Sequence, residues 1–259
     1  RPMKSFLPNF HAVIFGAGGG IGAAIASRLT ELPSCTRLTL MGRNISKIEE
    51  NVNAIGDIDI QILQADICDE DSIASVAIQL GEHINDDAPV QLFFNASGIL
   101  HDEANDLQPE RSIRHLSNEA FQKVFAINSF GPALLIKHFL PFMPRDQRSV
   151  FASLSARVGS VSDNKIGGWY AYRASKAAHN MLIKTASLEV RMKYKQAVIV
   201  GLHPGTVATN LSAPFRGNVS PEKLFSPSQS ADYLLDVMDN LTPAQSGAVF
   251  AWDGQEIPA

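Results

Sequence analysis

The strongest constraint on the fold is an alternation that runs along the whole chain, in which short apolar runs are followed by longer amphipathic ones. The first apolar run, Ala12 to Phe15, is short and continuous, as in a strand that is buried on both faces. Ile21, Ile25 and Leu29 follow at helical spacing. The pattern repeats about six times, which predicts a parallel sheet with helices on both faces.

The same pattern gives approximate positions for the elements. Strands are predicted at 12–15, 37–41, 60–64, 90–94, 149–152, 196–202 and 247–252. Helices are predicted near 21–29, 46–55, 71–80, 118–142, 169–192 and 228–240. Gly131-Pro132 is expected to kink or end the fourth helix.

The composition shows no break that would divide the 259 residues into domains. We therefore predict a single domain over 1–259 with a doubly wound, Rossmann-type α/β fold and a sheet of about seven strands. Two irregular segments, 99–117 and 204–226, are too long for plain connectors, and loops of this length often carry function.

Charge, cysteine content and apolar run lengths limit the partners. The net charge is -4 and there is no basic run, so a nucleic-acid partner is not expected. Cys35 and Cys68 are too far apart for a disulfide framework or a metal site, which favours a reducing compartment such as the cytoplasm. No stretch approaches the length of a membrane span, so no membrane partner is expected.

A cluster of glycines lies between the first predicted strand and the first predicted helix. Residues 16–22 read Gly-Ala-Gly-Gly-Gly-Ile-Gly. Glycine allows a tight turn and a close approach of a pyrophosphate, while the helix N-terminus offers free N–H groups. This position at a strand-to-helix junction predicts a nucleotide site rather than a merely flexible turn. The residues assigned to it are Gly16, Gly18, Gly20, Ile21 and Gly22.

The end of the second predicted strand bears on the choice of nucleotide. An acidic side chain there would hold the ribose hydroxyls of NAD, but the sequence reads Met41-Gly42-Arg43. Arg43 is suited to the 2′-phosphate of NADP, so NADP(H) is favoured over NAD(H). The alternative is a solvated surface arginine.

Tyr172 and Lys176 are four residues apart and should face the same way on a helix. A free tyrosine, with a pKa of about 10, is a poor acid–base catalyst near neutrality. A nearby ammonium lowers that pKa, and the pair could then transfer a proton to a carbonyl oxygen. Taken alone, this spacing also fits an exposed helical pair.

These motifs, in this order, resemble those of the short-chain dehydrogenase/reductase family over essentially the whole chain. Asn95-Ala96-Ser97-Gly98 resembles that family's Asn-Asn-Ala-Gly motif, and Asn128, Tyr172 and Lys176 match members of its catalytic tetrad. The resemblance implies that Tyr172, Lys176 and a further set of residues contact the cofactor. That further set is Asp66, Ile67, Asn95, Ala96, Ser97, Gly98, Pro204, Gly205, Thr206, Val207 and Thr209.

The resemblance also implies catalytic roles. A serine after the fifth strand would bind the substrate oxygen, and Ser155 fits best, although one extra residue then precedes Gly159; Ser153 is the alternative. Tyr172 would transfer the proton, and Lys176 would lower its pKa and hold the nicotinamide ribose. Asn128 would anchor a water. From the residues alone, Asn128 also fits a cap at a helix kink, Asp66 a helix cap and Asn95 a turn.

Residues 162–176 and 250–254 resemble the C-factor-like branch of the family, which is close to the sniffer-type carbonyl reductases. The implied function is an NADP-dependent oxidoreductase acting on a small carbonyl or alcohol, assembled as a homodimer or homotetramer. Leu211, Pro214 and Phe215 indicate that the segment 204–226 closes over a hydrophobic substrate. The alternative is a cofactor-binding regulator with little turnover, since Phe15 replaces a usual threonine.

Overall fold

The computed structural model describes residues 3–52, 57–217 and 219–259. The strands in these ranges are β1 (Phe10–Phe15), β2 (Cys35–Gly42), β3 (Asp59–Gln64), β4 (Val90–Asn95), β5 (Ser149–Leu154), β6 (Ala197–His203), β7 (Thr206–Val207), β8 (Leu224–Phe225) and β9 (Val249–Ala251). The α-helices are α1 (Gly20–Thr30), α2 (Ile45–Asn51), α3 (Glu70–His83), α4 (Asn118–Phe125), α5 (Gly131–Phe139), α6 (Tyr170–Val190) and α7 (Pro227–Asn240).

Seven strands form one sheet in the order β3-β2-β1-β4-β5-β6-β9, and every pairing in it is parallel. The predicted Rossmann-type sheet of about seven strands is therefore confirmed. The strand order reverses direction between β1 and β4, which opens a crevice at the carboxyl ends of these two strands. Any ligand of this fold is expected there.

The sheet is buried on both faces because successive side chains of a strand point to opposite sides. Ile14, Phe94 and Val200 belong to a core that includes α1 and α7. Val13 and Phe93, one position away, belong to a second core with α3 and α5. This is why the strands read as continuous apolar runs in the sequence.

The boundaries of most predicted elements are close to those observed. The helix predicted over 46–55 corresponds to α2, which begins at Ile45 and ends at Asn51; positions 53–56 lie outside the described residues. The segment 204–226 is not a plain loop, since it contains the short parallel pair β7 and β8.

The kink predicted at Gly131-Pro132 takes the form of a π-helical turn at 126–130, between α4 and α5. Gly131 N–H donates to the carbonyl of Ala126, five residues back. Proline has no N–H and its ring crowds the preceding turn, and a widened turn accommodates both effects. Gly131 also allows α5 to approach Ile67, whose Cγ1 would lie 2.3 Å from a Cβ added at this glycine.

Among the described residues, one helical run, Asn118–Phe142, is long and apolar enough by length and composition to cross a membrane. The prediction that no stretch approaches such a length was therefore wrong for this run, which continues through Gly131-Pro132. About 50% of its apolar window is buried inside the protein. Leu135 and Phe139 lie in the second core, so this run is a packed helix of the domain.

Candidate active site

The glycine turn between β1 and α1 requires glycine at three of the predicted positions. Gly16 and Gly20 have φ values of +83° and +55°, which side chains disfavour. A Cβ added at Gly22 would lie 2.2 Å from the carbonyl oxygen of Gly16. At Gly18 a Cβ would meet only Ile48, at 3.9 Å, so that position is not sterically constrained.

The N-terminus of α1 is available to an anion. Its N-cap residue, Gly19, has no side chain to bond the N–H groups of the first turn, which includes Ile21. A bare helix N-terminus behind a glycine turn is the usual seat of a pyrophosphate, because the N–H groups and the helix dipole both favour negative charge. The residues present therefore fit a dinucleotide.

The segment 95–98 connects the glycine turn to the predicted catalytic pair. Ala96 N–H donates to the carbonyl of Phe15 at 2.8 Å, and a Cβ added at Gly16 would lie 3.1 Å from Ser97 N. At the other end of the segment, a Cβ added at Gly98 would lie 3.6 Å from Lys176 Nζ. The nucleotide turn and the lysine thus share one crevice.

Asn95, predicted at the cofactor, is fully buried and holds this segment in place. Its Nδ2 donates to Ser153 Oγ at 2.9 Å, and its Oδ1 accepts from Ser97 N–H at 3.0 Å. The sequence analysis gave a turn residue as the alternative for Asn95, and its side chain does stabilise a turn here. Contact with a cofactor stays a prediction.

Asp66 and Arg43 lie at the same edge of the sheet, after β3 and β2. Asp66 Oδ1 accepts from Cys68 N–H at 2.9 Å, which closes a turn before α3. The Arg43 side chain is exposed, and its carbonyl accepts from Gln64 Nε2 at 3.1 Å. The Ile67 side chain is buried against Gly131, and its contact with a cofactor stays a prediction.

Tyr172 and Lys176 face the interior from α6, so the predicted common face is observed and an exposed helical pair is excluded. Their exposed fractions are 9% and 2%. Lys176 Nζ lies 5.9 Å from the centre of the Tyr172 ring and donates to the carbonyl of Leu154 at 3.0 Å. The lysine is thereby tied to the end of β5.

The electrostatics of this pair differ from the prediction. Burial raises the pKa of Tyr172 to about 12, and no lowering by Lys176 accompanies it. Burial lowers the pKa of Lys176 to about 8. At neutral pH the phenol is therefore protonated and Lys176 is mostly an ammonium. The predicted lowering of the Tyr172 pKa by Lys176 is therefore not found.

The two candidate catalytic serines are both hydrogen-bonded to asparagine side chains. Ser155 Oγ donates to Asn180 Oδ1 at 2.6 Å, and Ser153 Oγ accepts from Asn95. Neither serine forms a hydrogen bond with the Tyr172 hydroxyl.

Ala156 is the residue of this segment that belongs to the apolar cluster of Tyr172 and Leu100. The loop after β5 is held by Gly159, because a Cβ added there would lie 2.8 Å from Lys176 Cβ. This close packing fixes the position of Gly159 against α6. The catalytic role of Ser155 stays a prediction, without support from its geometry.

Asn128 is fully buried in the π-helical turn and spans two elements. Its Oδ1 accepts from Ile99 N–H at 2.8 Å, and its Nδ2 donates to Ile99 O and to Ser175 Oγ at 2.9 and 3.1 Å. Its side chain thus ties the segment after β4 to α6. Water binding by Asn128 stays a prediction.

Two features near α6 were not found from the sequence. Glu110, in the irregular segment 99–117, caps α6: its carbonyl accepts from Trp169 N–H at 2.6 Å and its Oε2 from Ala171 N–H at 3.2 Å. His179 is fully buried, and neither of its ring nitrogens has a hydrogen-bond partner. Burial, with a contribution from Lys176, holds the pKa of His179 well below its usual value.

The segment from Pro204 to Thr209 lies over the start of α1. Gly205 has a φ of +78°, and a Cβ added at Gly20 would lie 3.4 Å from Thr209 Cγ2. Thr206 and Val207 form β7. This places the predicted Pro-Gly segment beside the nucleotide turn.

Beyond β7, the segment 204–226 covers the tyrosine. Leu211, Phe215 and Trp169 pack against the cluster that contains Tyr172. The Trp169 ring lies edge-on to both Phe215 and Tyr172, with centroid distances of 5.2 and 6.1 Å. The surroundings of the phenol are therefore mainly apolar and aromatic.

The sequence from residue 10 to residue 219 matches the family described as short chain dehydrogenase. The chain belongs to the short-chain dehydrogenase/reductase family. It is 35% identical over 136 residues to the C-signal of Myxococcus xanthus, covering 52% of this chain and 76% of that protein. It is also 30% identical over 190 residues to a 1-hydroxy-2-glutathionyl-2-methyl-3-butene dehydrogenase of a Rhodococcus species, covering 73% of this chain and 76% of that protein.

Solved structures of the family share this fold. The NADPH-bound carbonyl reductase from chicken fatty liver superimposes with a TM-score of 0.83 at 24% identity, covering 97% of this chain and 100% of that one. The carbonyl reductase Sniffer of D. melanogaster gives a TM-score of 0.81 at 23% identity, covering 98% and 100%. The predicted resemblance to C-factor-like and sniffer-type relatives is confirmed.

We predict that Gly22→Ala impairs dinucleotide binding, because its methyl group would collide with Gly16 O and Ala96 Cβ, 2.2 and 2.9 Å away. The dissociation constant for NADPH, measured by fluorescence titration, should rise at least about 10-fold, the effect of about 1.4 kcal/mol. Gly217→Ala is the control, since an added Cβ there meets nothing within 4 Å. Unchanged binding by Gly22→Ala would contradict the assignment of this turn to the nucleotide.

Proposed function

We propose that the protein is an NADP-dependent oxidoreductase that transfers a hydride between nicotinamide and a carbonyl or alcohol substrate. The observation that carries this proposal is the buried pair Tyr172 and Lys176, which segment 95–98 connects to the glycine turn. Membership of an oxidoreductase family supports the general reaction. The NADPH-bound carbonyl reductase among the structural relatives supports the finer one.

The residues suggest separate roles for the bound cofactor, for Tyr172 and for Lys176. Bound NADPH would supply the hydride to the carbonyl carbon and leave as NADP⁺. Tyr172 would donate its hydroxyl proton to the carbonyl oxygen, so that the product is the neutral alcohol. Lys176 donates one N–H to Leu154 O. Its ammonium has two further N–H groups, which would donate to the hydroxyls of the nicotinamide ribose.

We propose that carbonyl reduction is the favoured direction near neutral pH. A general acid must carry its proton, and burial raises the pKa of Tyr172 to about 12. Alcohol oxidation would need the phenolate, which this environment disfavours.

The substrate class follows from the residues around the phenol. Leu100, Ala156, Trp169, Leu211 and Phe215 pack with Tyr172 in one cluster. Such a wall favours a hydrophobic, preferably aromatic, carbonyl compound, because apolar surface gains free energy on leaving water and rings pair edge-to-face. Leu211 and Phe215 would have to move to admit it.

A second candidate function is a cofactor-binding regulator with little turnover. The observation that favours it is the hydrogen bond of Ser155 Oγ to Asn180 Oδ1, because among the described residues Ser155 forms no hydrogen bond with the Tyr172 hydroxyl. The C-signal of M. xanthus is a relative whose name describes a signal rather than a reaction.

We predict that the protein reduces aryl ketones with NADPH and that Tyr172→Phe lowers kcat at least about 100-fold, the contribution expected of general acid catalysis. NADPH affinity should stay within about twofold, because only the proton donor is removed. Tyr170→Phe is the matched control, since this exposed tyrosine begins the same helix. Cofactor binding with no turnover on a panel of aryl and alkyl ketones would favour the regulator.

We also propose a homodimer that forms through the helices holding Asn128 and Tyr172. Phe130 and Met181 on these helices are 57% and 66% exposed, and Leu188 is exposed as well. Surface apolar groups of this size favour burial against a second copy.

Sedimentation should give twice the 28.1 kDa mass of one chain. Met181→Glu should shift the protein to the monomer, because it would bury a charge. Ile78→Glu, at an exposed position of α3, is the control. A monomeric wild-type protein at micromolar concentration would contradict the proposal.

A further inference from the structure

The turn 209–216, which belongs to the segment that covers the phenol, is a compact unit held by its own hydrogen bonds. Ser212 Oγ donates to Val207 O and lies 3.2 Å from Thr209 O. Arg216 Nε donates to Ser212 Oγ at 3.0 Å, and its Nη2 donates to Thr209 O. Because these bonds stay within the segment, the turn keeps its shape if it moves, and it can move as one body.

One polar contact ties this turn to the rest of the protein. Among the described residues, the hydrogen bond between His101 Nε2 and Asn210 O, at 2.9 Å, is the only one that joins the turn to a residue outside 204–226. A carbonyl oxygen can only accept, so Nε2 carries a hydrogen and donates it. The other ring nitrogen, Nδ1, is buried and has no partner among the described residues. The side chain of His101 thus directs its one hydrogen bond at the turn.

The His101 ring also contacts the apolar side of the turn. It lies edge-on to Phe215, with a centroid distance of 5.7 Å and an angle of 69° between the rings. Phe215 in turn lies edge-on to Trp169, which contacts Tyr172. The imidazole therefore stands at the border of the aromatic cover over the phenol.

The backbone on which His101 stands is fixed on both sides. Leu100, the residue before it, is buried in the cluster of Tyr172. Asp102, the residue after it, exchanges two backbone hydrogen bonds with Leu107, both at 2.9 Å. The Asp102 carboxylate also accepts from Lys123 Nζ, on α4, at 2.5 Å. The imidazole is thus mounted on the fixed part of the protein, and the turn is the part that can open.

We infer that His101 is a positioning residue for the ketone, because its Nε2–H holds the turn 209–216 closed over a substrate bound at Tyr172. The inference rests on the proposed function, since it concerns the same substrate. Closure presses Leu211 and Phe215 onto the substrate and excludes water. The imidazole acts through the turn and does not contact the reacting atoms. Its hydrogen bond therefore contributes to substrate affinity and leaves the chemical step unchanged.

The test compares the wild-type protein with His101→Phe, which keeps a ring against Phe215 and removes the hydrogen bond. At saturating NADPH, the KM for an aryl ketone should rise about fivefold, the effect of one net hydrogen bond, while kcat and the dissociation constant for NADPH stay within about twofold. Trypsin cleavage after Arg216, followed by mass spectrometry, should become about fivefold faster. The reason is that proteolysis of a segment tracks the population in which it is open.

Three further variants separate the hydrogen bond from a general structural role. His101→Gln places an amide N–H near the position of Nε2 and should restore KM and the cleavage rate to within about twofold of the wild type. His101→Asn has a shorter side chain, whose amide reaches only the position of Nδ1, and should behave like His101→Phe. His115→Phe makes the same change at an exposed position of the segment 99–117 and should alter neither readout.

Two results would overturn the inference and leave the proposed function standing. An unchanged cleavage rate in His101→Phe would show that the bond does not hold the turn. A fall in kcat with an unchanged KM would show that His101 acts on the reacting atoms instead. A wild-type protein that reduces no ketone would overturn the proposed function and, with it, the role of His101 in positioning a ketone. The cleavage rates do not depend on turnover, so the two failures are distinguishable.

Discussion

The contact of α6 with the end of β5 is the interaction on which the candidate site depends. Lys176 Nζ bonds the carbonyl of Leu154, Ser155 Oγ bonds Asn180, and Gly159 packs directly on the backbone of Lys176. These three contacts fix the axial position of the helix and the direction in which its buried face points. Tyr172 is held by the same helix, so its position follows from them.

That burial also determines the chemistry available at the phenol. Tyr172 packs among Leu100, Ala156, Trp169, Leu211 and Phe215 instead of facing water. Desolvation disfavours the charged form of each member of the pair, which keeps the phenol protonated and makes the ammonium easier to deprotonate. A phenol that stays protonated beside an apolar wall is suited to donating its proton to the oxygen of a hydrophobic carbonyl compound during reduction.

Most of the scaffold could be predicted from the sequence, because each parallel strand is buried on both faces and reads as an apolar run. The need for glycine at Gly16, Gly20 and Gly22 could also be predicted, because a tight turn between a strand and a helix leaves no room for side chains or requires positive φ. Asn128 was found through the family resemblance, but its bonds to Ile99 and Ser175 depend on tertiary packing that spacing does not encode.

The remaining parts depended on contacts between segments distant in sequence. Ser155 bonds to Asn180 because the end of β5 lies against α6, and strand counting alone could not predict this contact. Glu110 caps α6 from more than fifty positions away. This residue carries no local sequence signal. The helix over 118–142 was predicted, but its continuous apolar length was not, because Gly131-Pro132 suggests a break where a π-helical turn preserves continuity.

The most direct test of the central claim is the pH dependence of ketone reduction at saturating NADPH between about pH 6 and pH 10. In the proposed mechanism the phenol is the proton donor, and burial raises the pKa of Tyr172 to about 12, so deprotonation of Tyr172 should not limit the rate anywhere in this range. The rate should be constant near neutrality and fall above about pH 8, where Lys176 loses its charge. A rate that rises with pH through the neutral range would mean that the reactive form is the phenolate, and it would contradict the account.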